Sequence, residues 1–233
     1  MNYKILFRDT LLLFRESRLL WILGAIAFVS EVIYRVSIYS IGNPPVPRIA
    51  YPLFFLSLYF SFVAKCSLIY STNQIVSEQK PTYSEVWGFG KTKLRRILGL
   101  YFLSIPLVMF SVLIVTIVTL SEISTLLTWF VDLLVTFFLS SLFTLSICTI
   151  VIHNLEAGLA LWTGLSIAVN NIIHVVVLNS IFLILSLVVN LAIGNGLFGM
   201  FFIVPLTVTM TLAYRGFIVK GSYPALSNIQ PTA

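Results

Sequence analysis

Four ionisable residues stand inside apolar runs of this sequence: Glu31, Arg35, Lys65 and Asp132. A charge at the centre of a membrane helix costs about 2.5–3.5 kcal/mol on insertion scales, so such groups face protein or water and pair with one another. Glu31 and Arg35 are four residues apart, which places them on one helical face. With Glu31 near mid-depth and Arg35 farther out, Lys65 matches the first and Asp132 the second. One chemistry open to this set is a path for protons, ions or a substrate. The other reading is two structural ion pairs, Glu31–Lys65 and Arg35–Asp132, that fix helix register, against a partner subunit or within the chain. Charge type and depth balance without any ligand, which favours the structural pairs.

A second polar set is His153, Asn170, Asn171 and His174, with Asn179 and Asn190 deeper in the same apolar run. Amides in such places hydrogen-bond between helices, at about 0.6 kcal/mol each. A site shared by His153 and His174 is conceivable, but capping or snorkelling histidines are preferred, because two histidines without paired carboxylates make a poor metal site. Cys66 and Cys148 sit in apolar runs without metal-type spacing and read as packing residues. There is no G-x-x-x-x-G-K-[ST], H-E-x-x-H or G-x-S-x-G. GFGKTK at 88–93 lacks the preceding strand and the spacing of a phosphate loop; Gly88 and Gly90 are expected instead to be close-approach positions. No catalytic residue, metal or cofactor is assigned.

These groups must be positioned by helices in lipid. Of 233 residues 59% are hydrophobic and 9% charged, with a mean hydropathy of +1.03. A soluble domain carries about 45–50% apolar and about 25% charged residues. The expectation is an all-α integral membrane protein. Six apolar runs supply the spans, at 19–40, 51–76, 97–120, 126–152, 172–193 and 197–219, within a single polytopic domain, 1–220. The stretch at 43–48 carries three prolines and reads as an external loop. The tail 221–233 is expected to be disordered and cytoplasmic. MNYKILFRDT begins amphipathic and no A-x-A-like site follows, so no cleavable signal peptide is expected.

Each hairpin of spans is preceded by an amphipathic stretch expected to lie in the cytoplasmic membrane surface. The clearest is Thr82–Leu98, with Tyr83, Val86, Trp87, Gly90, Leu94 and Ile97 on one face and Glu85, Gly88, Lys91, Arg95 and Arg96 on the other. Thr82 and Glu85 form an S/T-x-x-E capping box. Asn2–Arg18 repeats the pattern, setting Tyr3, Leu6, Phe7, Thr10 and Phe14 against Lys4, Arg8 and Arg15. His153–Asn171 is a third and weaker version. An offset of 162 − 87 = 75 superposes Trp162 on Trp87, and one of 83 − 3 = 80 superposes Tyr83 on Tyr3, suggesting a threefold repeat of surface helix plus hairpin. Any amphipathic helix before an apolar hairpin would look similar, so the repeat stays an open expectation.

Lys91, Lys93, Arg95, Arg96, Arg15 and Arg18 lie on the surface-helix side, while the opposite side carries only Arg48. The positive-inside rule then puts both termini in the cytoplasm, in a plasma membrane. The net charge of +6 is read as attraction to anionic lipid headgroups, not to nucleic acid, since the basic residues flank apolar runs. Trp21, Tyr39, Tyr51, Trp87, Tyr101, Trp129, Trp162 and Tyr223 are expected in the interfacial belt.

RLLWILGAIAF (18–28), QKPTYSEVWGFGKTKLRRILGLY (79–101), HNLEAGLALWTGLSIAVNN (153–171) and LAYRGFI (212–218) together resemble a bacterial and archaeal group of six-helix membrane proteins. This is the glycerophosphoryl diester phosphodiesterase membrane-domain-like group, with related uncharacterised families. The resemblance implies a six-helix bundle with cytoplasmic surface helices. It brings no activity, because the phosphodiesterase chemistry belongs to a separate soluble barrel. The leading expectation is a non-enzymatic membrane scaffold or accessory subunit that binds lipid, a partner membrane protein or a second copy of itself. A transporter or permease component that uses the buried charges is the alternative, followed by an intramembrane enzyme.

Overall fold

The computed structural model describes residues 2–42, 49–120, 125–193 and 203–220. Among them the chain is helical and strand-free: α1 (Tyr3–Glu16), α2 (Arg18–Gly42), α3 (Ala50–Val76), α4 (Tyr83–Leu120), α5 (Thr125–His153), α6 (Ala157–Asn170), α7 (Ile172–Ile193) and α8 (Ile203–Lys220). The proline-rich loop at 43–48, the turn at 194–196 and the tail at 221–233 lie outside the described residues. Among those described, α2, α3 and Tyr83–Val118 of α4 are long and apolar enough to cross a membrane. A fourth span results if α6 and the first part of α7 are counted as one bent segment.

Two of the three amphipathic stretches are separate helices. Asn2 caps α1 by accepting a hydrogen bond from the Ile5 amide, and Ser17, in an extended conformation, ends it before α2 begins at Arg18. The third stretch, α6, meets α7 at 87° around Asn171, whose amide and side-chain Nδ2 both donate to the Ile167 carbonyl. The second differs from expectation. Thr82 accepts from the Glu85 amide as a helix cap should, but α4 then runs unbroken from Tyr83 to Leu120, through Pro106. The backbone ladder continues through Lys91–Leu98, so surface helix and span are one rod of 38 residues. At 1.5 Å per residue the rod is about 57 Å long. That exceeds the ~30 Å hydrocarbon core by more than the length of its basic first turns.

Contacts divide the chain into two compact units, Met1–Leu94 with Ser180–Gly216, and Arg95–Asn179 with Phe217–Ala233. In the first, α2 and α3 pack along their length, and Leu20, Leu23, Ala64, Leu68, Val86 and Val208 share one buried cluster. Small residues let the backbones close up. Gly90 of α4 presses on Val63 and Ser67 of α3, and the Ser67 hydroxyl donates to the Val86 carbonyl at 3.0 Å. The second unit repeats this contact, with Gly164 of α6 set against the backbone of Ser146 in α5 and flanked by the buried Ala160 and Ala168. A small-x₃-small row of this kind is how membrane helices approach closely, since no hydrophobic driving force separates them from lipid.

The corresponding contact of α1 is a hydroxyl pair, Thr10 Oγ1 to Thr209 Oγ1 of α8 at 3.0 Å. Thr10 precedes Gly90 by 80 residues, in keeping with the offset read from sequence. Gly164 follows Gly90 by 164 − 90 = 74, however, one residue fewer than the tryptophan match. The register of α6 therefore turns by one position, which leaves Trp162 exposed while Trp87 is half-buried. The expectation for Gly88 is also corrected: nothing lies within 4 Å of where its Cβ would be, so only Gly90 is a close-approach glycine.

The C-terminus of α3 carries a strained residue. Glu78 has φ 63°, its amide bonding to the Ile75 carbonyl and the next amide, Gln79, to Gln74, which is the Schellman arrangement normally closed by glycine. Glu78→Gly should therefore raise stability by up to about 1 kcal/mol, visible as a higher melting temperature in detergent.

Candidate functional site

The basic face of α4 is the densest group of cations in the described residues. Its helical spacing separates two behaviours. Lys91 and Arg95, four residues apart, project outward and are exposed. Lys93 instead lies over the Phe89 ring, Nζ at 4.7 Å from the centroid, and Phe89 stacks on Tyr70 of α3 at 3.9 Å. The Tyr70 hydroxyl reaches the Glu85 carboxylate at 3.4 Å. Cation, ring, ring and carboxylate thus tie the first turns of α4 to α3. Arg15 sits 3.8 Å from its neighbour Glu16 with both side chains exposed, a pair of little energetic weight, and Arg18 is exposed at the start of α2.

Arg96, grouped with the interfacial cations on sequence, has protein partners. Its guanidinium donates to the Asn154 carbonyl at 2.7 Å and to the Asn154 side-chain oxygen, and it pairs with Glu156 at 2.8 Å. Asn154 sits at φ 57° in the turn between α5 and α6, a left-handed conformation that asparagine tolerates better than most residues. Glu156 precedes the first residue of α6, where a carboxylate also meets the positive end of the helix dipole. The His-Asn-x-Glu order at 153–156 carried a helix-stop and helix-start signal, but nothing local in sequence named Arg96, 58 positions earlier, as its partner.

Of the intramembrane charges, Glu31 and Lys65 are half-buried, and the side chains of Arg35 and Asp132 lie outside the described residues. The expected Glu31–Lys65 contact is not among the ion pairs of the described residues. In the second polar set, Asn170 is exposed, Asn171 forms the α6–α7 turn, and the His174 ring stacks on Phe217 at 6.2 Å. Deeper in α7, buried Asn179 donates to Ser141 of α5 and to its own helix at Val175, an interhelical bond of the kind expected. The side chain of Asn190 lies outside the described residues. Among the described residues no three His, Cys, Asp or Glu side chains are grouped to hold a metal ion.

His153, at the C-terminal end of α5 just past the predicted fourth span, is buried, and burial holds its pKa below the ordinary value of 6.5. Burial thus favours the neutral ring in the folded protein, whereas an unfolded chain binds the proton more readily. Its contribution to stability is complete above pH 6.5 and is lost as pH falls through the lower folded value. Melting temperature should therefore drop on acidification below about pH 6.5, and His153→Gln should remove that part of the slope.

The chain matches no family model, no curated protein and no solved structure.

Proposed function

We propose that the protein is a non-enzymatic membrane scaffold or accessory subunit, a six-span bundle of three hairpins that binds anionic lipid headgroups at its cytoplasmic face or a partner membrane protein. The observation that carries this is the build of α4. One turn presents Lys91 and Arg95 outward, and the turns that follow present apolar side chains, Phe102 at 70% and Ile117 at 57% exposure among them. Cations at headgroup height followed directly by side chains suited to acyl chains complement a lipid from its phosphate downward. The 87° turn between α6 and α7 supports the surface-helix layout, since a helix lying in the interface meets a span at about a right angle. Gentle solubilisation followed by identification of co-purifying lipids and proteins tests the reading. Anionic lipid lost from a Lys91→Gln, Arg95→Gln variant is expected, and a chain that retains neither lipid nor protein would sink it.

The second reading is a transporter or permease component. Lys65 favours it: a half-buried amine midway along α3 that meets no carboxylate among the described residues.

A further inference from the structure

Two acid–x–base triplets, Glu16-Ser17-Arg18 and Glu78-Gln79-Lys80, occupy the two breaks, between α1 and α2 and after α3, at one end of the α2–α3 pair. The structure brings them together around a cleft of about 640 Å³, lined also by the apolar Leu19, Ile75 and Pro81. Each triplet is placed by a backbone irregularity. Extended Ser17 breaks α1 from α2, and left-handed Glu78 closes α3. Arg18 opens α2, whose first-turn amides have no partner within the helix. One turn along, Trp21 is exposed on the helix surface with its indole N–H donating to the Phe14 carbonyl, an amphipathic ring suited to the membrane–water boundary. The cleft thus opens beside a side chain of interfacial type.

Its charges decide what it fits. Two carboxylates repel a simple anion, and two cations repel a simple amine. A ligand with both signs a few ångströms apart satisfies all four groups, and the apolar wall accepts the start of an acyl chain. We propose that this cleft binds the headgroup of an aminophospholipid, its phosphate held by Arg18 and Lys80 and its primary ammonium by Glu78 and Glu16. Glu78 is the main ammonium acceptor, because the left-handed turn that closes α3 fixes where its side chain leaves the backbone. A trimethylated headgroup carries the same charges but no N–H to donate, so the carboxylates discriminate against it. The inference rests on the lipid-binding reading and adds to its anionic headgroups a second, zwitterionic one at a separate place.

The test is native mass spectrometry of the full chain released from nanodiscs. The discs contain phosphatidylethanolamine, phosphatidylglycerol or phosphatidylcholine with identical acyl chains. Wild type should retain phosphatidylethanolamine about tenfold over phosphatidylcholine, the value of one charge-assisted hydrogen bond. Glu78→Gln should abolish that preference. Glu78→Gly should abolish it too while raising the melting temperature, so that the loss does not reflect unfolding. Paired Arg18→Gln and Lys80→Gln should weaken phosphatidylethanolamine retention outright. Equal retention of the three lipids by wild type, or a preference untouched by both Glu78 variants, overturns the proposal. Displacement of the lipid by millimolar inorganic phosphate also overturns it, reassigning the cleft to a soluble phosphate. If lipid stays bound through Lys91 and Arg95 while no cleft variant changes anything, only the cleft assignment falls. If no lipid is retained at all, the lipid-binding reading falls with it.

Discussion

Gly164→Ala should lower the stability of the protein by about 1–3 kcal/mol, the cost of forcing atoms into a packed interface. A Cβ at this position would stand 2.9 Å from the backbone nitrogen and Cα of Ser146, and backbone, unlike the end of a flexible side chain, cannot swing away. The α5 and α6 helices would have to separate, opening the seam in which Ala160 and Ala168 are buried. Gly90→Ala should behave alike, with its Cβ 2.8 Å from the Val63 carbonyl and crowding the Ser67 hydroxyl off the Val86 carbonyl. Gly88→Ala is the internal control. Nothing lies within 4 Å there, so the higher helix propensity of alanine should stabilise by up to about 1 kcal/mol. Unfolding in graded SDS, read by tryptophan fluorescence, separates the three. Equal effects at positions 88 and 90 would contradict the packing described for α3 and α4.

Arg96→Met should cost about 1–2 kcal/mol, toward the low end for hydrogen bonds to a charged group because the site is partly open to solvent. The Arg96 side chain is 27% exposed and anchors the α5–α6 turn through the Asn154 carbonyl, the Asn154 side chain and Glu156. The methionine keeps the aliphatic stem and removes the fork. Arg96→Lys should recover only part, since a single ammonium does not reproduce the planar donors that reach Asn154 and Glu156 together. Glu156→Gln should cost less than about 1 kcal/mol, as its side chain is 75% exposed and the ion pair is correspondingly screened. Thermal melting of the three variants orders them; a Glu156 effect equal to that of Arg96 would show that the ion pair, and not the grip on the turn, holds the site.

Much of the helical layout is legible in the residues, because lipid makes the pattern strict. Among the described residues three of the six apolar runs reappear as helices of span length, four with the bent α6–α7 pair, and Thr82–Leu98 splits into two faces, with Val86, Gly90 and Ile97 buried and Lys91 and Arg95 exposed. The Thr82 cap is equally local and equally visible. What is not legible depends on distance in sequence. Amphipathicity says that one face of a helix is polar, not whether a given arginine meets solvent, lipid or a turn 58 residues away, which is how Arg96 and Arg95 part company. The continuity of α4 is a third case: a change of face at Leu98 looks like an element boundary, yet the backbone ladder of α4 continues through it. The two glycines of GFG show the same limit at single-residue resolution, since 100° of helical rotation per residue puts Gly90 on Val63 and leaves Gly88 in the open.

Whether the protein holds lipid or moves a solute through its core is tested most directly by flux in liposomes reconstituted with the full chain. Proton, cation and lipid-scrambling signals should match those of empty vesicles, for wild type and for Lys65→Met alike. A flux carried by the wild-type chain and abolished by Lys65→Met or Glu31→Gln, with the variants folded and inserted, would contradict the scaffold reading and put the transport path in its place.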